Sequence, residues 1–327
     1  MTITTRPTRL FAAATFAGAL MTSTALADIQ TRTVEFENGG TTMMGTLYLP
    51  DGYEEGTKLP VAIVTGAWTS VEEQMPSTYA REMAERGMAA FTFDFRGWGK
   101  SGDLPEGEGG ARFIEDPSAK TDDIRAAIEF VSTLPEVNAE QINGLGICAS
   151  AGYMVDATSG NDLVNRVALV APWLQNEELV NAVYGGEEGV NGLKQMAADA
   201  EAKGGEIIPA AGPEGAEGVL MPLGGYYYEA DRGAVPEYDN QWNNAGWDDW
   251  LNYHPADNGA ALDKPLTIVH SEAAAIPDGV RAFLTNYGGE ATTKWLEGVD
   301  QFSFYDRPDA VETSADTVAE HFLSDAS

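Results

Sequence analysis

Apolar residues in this chain gather into short continuous runs separated by segments of helical periodicity. Val61-Ala62-Ile63-Val64-Thr65-Gly66, Ala89-Ala90-Phe91-Thr92-Phe93-Asp94, residues 142–147, Val167-Ala168-Leu169-Val170-Ala171 and Leu266-Thr267-Ile268-Val269-His270 are largely apolar without alternation. Runs of that length predict strands buried on both faces of a parallel sheet. Residues 31–36 and 43–49 flank the turn Asn38-Gly39-Gly40 and predict an antiparallel pair ahead of them, and residues 292–296 predict a last short strand. Between these runs, residues 78–86 have helical spacing and stop at Gly87. Ile124, Ile128 and Val131 place one apolar face on a helix over 121–134, a further helix begins near Ala149, and residues 314–323 close the chain as a helix. Strands alternating with helices predict an α/β fold with a mostly parallel sheet and right-handed crossovers.

The alternation breaks between residues 172 and 263. This stretch carries glycine-rich patches, Tyr226-Tyr227-Tyr228, and the aromatics Trp242, Trp247, Trp250 and Tyr253. It is too long to be a loop, and it reads as a lid inserted between the sixth and seventh strands of the sheet. The aromatics suit either a ligand-facing lining or a small core of the lid's own. The expected organisation is a leader over 1–27, a core over 28–171 and 264–327, and a lid over 172–263. The leader rests on Arg6 and Arg9, the apolar run from Leu10 to Leu20, and the small-x-small site Ala25-Leu26-Ala27. That apolar run is shorter than a membrane span, so the expectation is a periplasmic or secreted protein cut near Ala27.

Composition narrows the function classes. The chain carries a formal charge of −32, and loss of Arg6 and Arg9 takes the mature form to −34. Such a surface repels phosphate backbones and anionic headgroups, which argues against nucleic-acid and membrane partners. The single cysteine excludes an intramolecular disulfide. No cysteine pair and no histidine–acid spacing suits a metal, so neither metal nor cofactor is expected. The oligomeric state is left open.

The one cysteine occupies an informative position. Gly146-Ile147-Cys148-Ala149-Ser150 joins a predicted strand to a predicted helix, with small residues two before and two after the cysteine. That pattern permits a tight strained turn lifting the central side chain above the sheet edge. The amide of Ala149, at a helix start, can then donate to an oxyanion and favour a thiolate. Two other readings stay open: Ser150 as the nucleophile, and Cys148 as a small buried core residue.

Three segments carry a family resemblance: Thr65-Gly66-Ala67-Trp68-Thr69, Phe93-Asp94-Phe95-Arg96-Gly97-Trp98-Gly99-Lys100-Ser101-Gly102, and Gly144-Leu145-Gly146-Ile147-Cys148-Ala149-Ser150-Ala151-Gly152-Tyr153. Together they resemble the α/β-hydrolase superfamily, with a cysteine-centred elbow similar to dienelactone-hydrolase-like members. The resemblance implies the α/β-hydrolase fold, with a mostly parallel eight-stranded sheet. It implies a hydrolase or acyl transferase acting on an ester, thioester or lactone through Cys148. It places the second oxyanion amide near Ala67 or Trp68, with Trp68 overhanging a pocket for a small-molecule substrate or ligand and Tyr153, beside the elbow, as a further substrate contact. The acid is expected after the seventh strand, where Glu272 is the carboxylate before Asp278. The histidine is expected near 301, where this chain has Gln301, and glutamine cannot serve as a general base. Of the three histidines, His270 ends a strand as a structural residue, His321 belongs to the final helix, and His254 lies where the lid rejoins the sheet as a surrogate base or substrate contact. The missing histidine also supports a different class of protein, a catalytically degenerate relative that binds an apolar or aromatic molecule under the lid.

Overall fold

Apart from Met1, the computed structural model of the protein describes residues 28–102, 112–223 and 225–324. The expected leader and its cleavage site therefore lie outside the described residues. The long apolar runs form the strands of one eight-stranded sheet. Its members are β1 (Gln30–Asn38), β2 (Thr41–Leu49), β3 (Leu59–Thr65), β4 (Ala89–Phe93), β5 (Val137–Ile147), β6 (Val164–Val170), β9 (Leu266–His270) and β10 (Ala291–Trp295); β7 (Ile207–Pro209) and β8 (Gln241–Asn243) pair separately. The spatial order is β1-β2-β4-β3-β5-β6-β9-β10. β1 and β2 pair antiparallel, β2 pairs antiparallel with β4, and the remaining pairs are parallel. The observed sheet is thus the mostly parallel one that the unbroken apolar runs predict, with the alternating pair at one edge.

Helices α1 (Met75–Glu85), α2 (Pro117–Ser132), α3 (Ser150–Thr158), α7 (Pro277–Asn286) and α9 (Pro308–Leu323) accompany the sheet. Three of them begin several residues before their apolar spacing does. Pro76, Pro117 and Pro308 sit in the first turns of α1, α2 and α9, where a missing N–H costs nothing. Asp116 caps α2, accepting from the amides of Ser118 and Ala119 at 2.9 and 3.0 Å. Periodicity sees only the face that packs, so it misses a polar, proline-led first turn.

Between β6 and β9 the chain runs through α4 (Glu177–Val183), α5 (Gly186–Glu201), the antiparallel strands β7 and β8, and α6 (Trp247–Leu251). This segment is anchored by aromatics. The ring of Trp68 lies 4.7, 5.8 and 4.9 Å from those of Trp242, Trp247 and Trp250. Trp242 and Trp247 therefore build a core between the segment and the loop after β3, while Trp250 also reaches the cavity described below. Among the described residues, no helix is long and apolar enough to cross a membrane.

Candidate functional site

The carboxyl ends of β3, β5, β6 and β9 finish at one edge of the sheet, with Thr65 opposite Gly146, Ile147 opposite Val170, and Val170 opposite Val269. In open α/β sheets the crevice beyond these ends is where ligands bind. Cys148 follows β5 directly and stands in the left-handed region at φ 58°. A non-glycine residue there is held by its surroundings. The Cys148 amide donates to Val170 O at 3.1 Å, and Cys148 O accepts from Trp173 N at 2.9 Å and Ala151 N at 3.1 Å. Gly146 is required by the same turn, because a Cβ there would lie 2.7 Å from Ala151 Cα. Gly152 makes room for a close neighbour, since a Cβ there would meet Pro255 at 2.7 Å and Tyr253 at 2.8 Å.

The turn also discriminates between the two nucleophile readings. Ser150 is fully buried, its Oγ 2.9 Å from Thr65 Oγ1 and 3.1 Å from both N and O of Ile147. Its hydroxyl ties β5 to β3 beneath the elbow and does not line the cavity. Cys148 does, within a space of about 120 Å³ enclosed mainly by Trp68, Trp173, Met221, Tyr227, Trp250 and Phe302. That is somewhat smaller than the roughly 150 Å³ apolar cavity that takes up benzene.

Four groups face the sulfur: the Tyr305 hydroxyl, the backbone N–H groups of Trp68 and Ala149, and the Gln301 side chain. Burial pushes the Cys148 thiol up from its ordinary value, and these four neighbours act against that rise. Trp68, not Ala67, supplies the amide from the loop after β3, because the Ala67 N–H is directed 3.4 Å onto Met75 Sδ. Thr69, at φ 62°, shapes this loop, and its amide donates to buried Glu115 at 3.4 Å. Glu115 Oε1 in turn accepts from Lys120 Nζ at 2.7 Å and from the Tyr153 hydroxyl at 2.9 Å.

Gln301 sits at the expected place but has different neighbours. Its Oε1 accepts from Ala275 N at 3.0 Å, and its Nε2 donates to Ala171 O and to Tyr305 Oη, both at 2.9 Å. The Ala275 N–H can only donate, which fixes the amide orientation. Tyr305 comes from α8 (Ser303–Asp306), four residues beyond Gln301. Its ring packs against Tyr226 at 5.1 Å and Phe302 at 5.8 Å.

Three expected site residues are elsewhere. Glu272 does not meet Gln301: its side chain is 67% exposed and pairs with Arg281. The loop after β9 offers a backbone N–H at Ala275 where the acid was expected. Tyr153 is turned away from the cavity, toward Glu115, and its ring lies 5.4 Å from Tyr253. His254 lines a separate cleft with Glu177, Asn181 and Lys194, and its Nε2 lies 3.2 Å from Leu251 O. Sequence reasoning missed Tyr305, although an i, i+4 pairing with Gln301 was available as a signal. It missed Tyr227 too, having no way to tell which aromatics between residues 172 and 263 face inward.

The carboxylates that could group around a cation, among the described residues, are Glu72, Glu73 and Asp94. Lys100 and two hydroxyls already serve part of this cluster. Lys100 pairs with Glu73 and lies 4.0 Å from Glu72, whose oxygens accept from Thr46 at 3.1 Å and Thr92 at 2.7 Å.

Comparison with known proteins bears on the fold. No protein-family model matches the chain. An uncharacterized protein of Pseudomonas aeruginosa, PA2218, is 37% identical over 142 residues, 43% of this chain and 36% of its own length. Polyketide transferase claH of Penicillium crustosum is 29% identical over 140 residues, 42% of this chain and 43% of its own length. The chain thus spans about a third to a half of the length of such curated relatives. The crystal structure of PA2218 superposes with a TM-score of 0.77 at 26% identity, covering 90% of this chain and 93% of that one. The DcsB complex with its substrate analogue gives 0.72 at 18%, covering 90% and 98%. The alpha/beta hydrolase GrgF of a Penicillium species gives 0.66 at 16%, covering 90% and 100%. Further matching structures are esterases. With its sheet order, its strand–turn–helix elbow and these neighbours, the chain has the α/β-hydrolase fold.

Proposed function

We propose that this protein is a hydrolase or acyl transferase that takes an acyl group from an ester, thioester or lactone onto Cys148. The observation that carries the reading is that Cys148, Trp68 and Ala149 line one apolar cavity, with the Trp68 and Ala149 amides beside the sulfur. Two backbone donors from different loops, aimed at one reacting position, suit the oxyanion formed when sulfur adds to a carbonyl. In the proposed step sulfur forms a bond to the carbonyl carbon, the carbonyl oxygen takes the charge, and collapse expels the leaving alcohol or thiol. Water or a second acceptor then removes the acyl group. The cavity volume favours an acyl group smaller than a benzoyl. The transferase name of one relative and the esterase neighbours support the same reaction class. The Arg6, Arg9 and Ala25-Leu26-Ala27 pattern supports export as part of this proposal.

A second reading has its own support. Gln301 cannot accept a proton, and burial favours the neutral thiol. A degenerate relative that holds an apolar or aromatic molecule under the lid would need neither. Purified mature protein and Cys148→Ala, assayed against p-nitrophenyl esters and thioesters, separate the two. Turnover that Cys148→Ala abolishes supports the nucleophile. Saturable binding with no turnover on any substrate supports the binding protein.

A further inference from the structure

We infer that Tyr305 is a catalytic residue that relays the thiol proton, doing for this site what a histidine would do. The inference rests on Cys148 being the nucleophile. A tyrosine hydroxyl has one proton and two lone pairs. One lone pair is committed, because Gln301 Nε2 can only donate and lies 2.9 Å away. Gln301 has no freedom to reverse that direction: its Oε1 takes the Ala275 N–H at 3.0 Å, and its Nε2 also donates to Ala171 O at 2.9 Å. Tyr305 therefore keeps one acceptor position and one proton. Its hydroxyl adjoins the Cys148 sulfur, and both residues line the same cavity. That arrangement suits a neutral relay, and it explains a site that otherwise presents only donors to its nucleophile.

The step balances without charge on the tyrosine. Sulfur bonds to the carbonyl carbon with its proton still in place, giving an adduct that is neutral overall, with the negative charge on the carbonyl oxygen. As that adduct collapses, the bond to the leaving group breaks and its electron pair goes to the departing oxygen or sulfur; in one concerted transfer the thiol proton passes to the free lone pair of Tyr305 Oη and the original hydroxyl proton passes to the departing atom. Tyr305 ends as a neutral phenol, Cys148 as a thioester, and the leaving group as an alcohol or thiol. Tyrosinate is never formed, consistent with an apolar enclosure that disfavours it.

The test is the leaving-group dependence of the first acylation, measured with esters from p-nitrophenyl to ethyl in wild type, Tyr305→Phe and Cys148→Ala. With ethyl-type esters Tyr305→Phe falls about 10²-fold or more, and with p-nitrophenyl esters less than about threefold. An equal loss across the series, or none, overturns the relay and leaves Tyr305 a packing residue. A wild type that acylates only from p-nitrophenyl esters overturns it as well. If Cys148→Ala acylates like wild type, the nucleophile itself is wrong, which separates the two failures. Acylation of the wild type in H2O–D2O mixtures needs no variant. Two protons in flight give a bowed dependence on deuterium fraction, and a straight line contradicts the relay.

Discussion

At the scale of single residues, Cys148 was legible because its position depends on backbone geometry that small neighbours declare. Gly146 has no room for a Cβ, and Cys148 takes the strained left-handed conformation that the Gly-x-Cys-x-Ser spacing implies. Glu272 was not legible. Being the carboxylate nearest the right strand end says nothing about where its side chain turns, and here it turns outward to Arg281. Two predictions belong at this scale. Ser150→Ala should keep Cys148 acylation within about twofold while lowering stability by roughly 1–3 kcal/mol, since partners at Thr65 and Ile147 lose a buried bond. Esterase assays and urea titration read both effects. Gln301→His should gain less than about threefold in acylation, against the 10²–10⁴-fold of a working general base. The Ala275 N–H would sit on Nδ1 and hold the proton on Nε2, facing the sulfur in the wrong tautomer. A gain of 10²-fold would contradict this hydrogen-bond direction.

At the scale of elements, the strands were read closely and the helix starts late, because proline-led polar turns carry no apolar period. What periodicity could not reveal is the buried polar framework between elements. Glu115 links the loop bearing Trp68, through Thr69, to Lys120 on α2 and Tyr153 on α3. Thr69 and Tyr153 are far from Glu115 in sequence, and no apolar period brings the three together. Lys120 is 3% exposed and lies over the rings of Phe95 and Trp98, and burial pulls its pKa down against the pull of Glu115. Lys120→Met leaves Glu115 buried and unpaired, and should cost about 3–5 kcal/mol by urea titration. A second buried carboxylate gives the fold a pH signature. Burial, followed by the nearby charge of Asp94, pushes Glu72 up from 4.5 to about 8. The folded state therefore favours the neutral acid. Its contribution to stability is complete below about pH 4.5 and is lost as pH rises toward 8, at about 1.4 kcal/mol per unit. Melting temperature should fall between pH 5 and 8 in the wild type and be flatter in Glu72→Gln. Parallel curves would contradict the assignment.

At the scale of the whole molecule, the strand–helix alternation and the long interruption were visible, since both follow from the period of apolar residues. The inward face of the interruption was not. Trp242 and Trp247 form a core with Trp68, whereas Trp250 and Tyr227 also line the cavity, and no spacing in the sequence distinguishes them. Net charge acts at this scale too. A chain at −32 repels itself over a Debye length of roughly 30 Å at 0.01 M salt and 3 Å at 1 M. Melting temperature should rise by about 3 °C or more across that range, and a flat response would show the carboxylates to be locally neutralised. The central claim, that an acyl group passes through Cys148, is tested most directly by intact-mass and peptide mapping after rapid acid quench with a p-nitrophenyl ester. The account predicts one acyl group, on the peptide carrying Cys148 and absent from Cys148→Ala. Turnover with no adduct on that peptide, or an adduct that persists in Cys148→Ala, would contradict it.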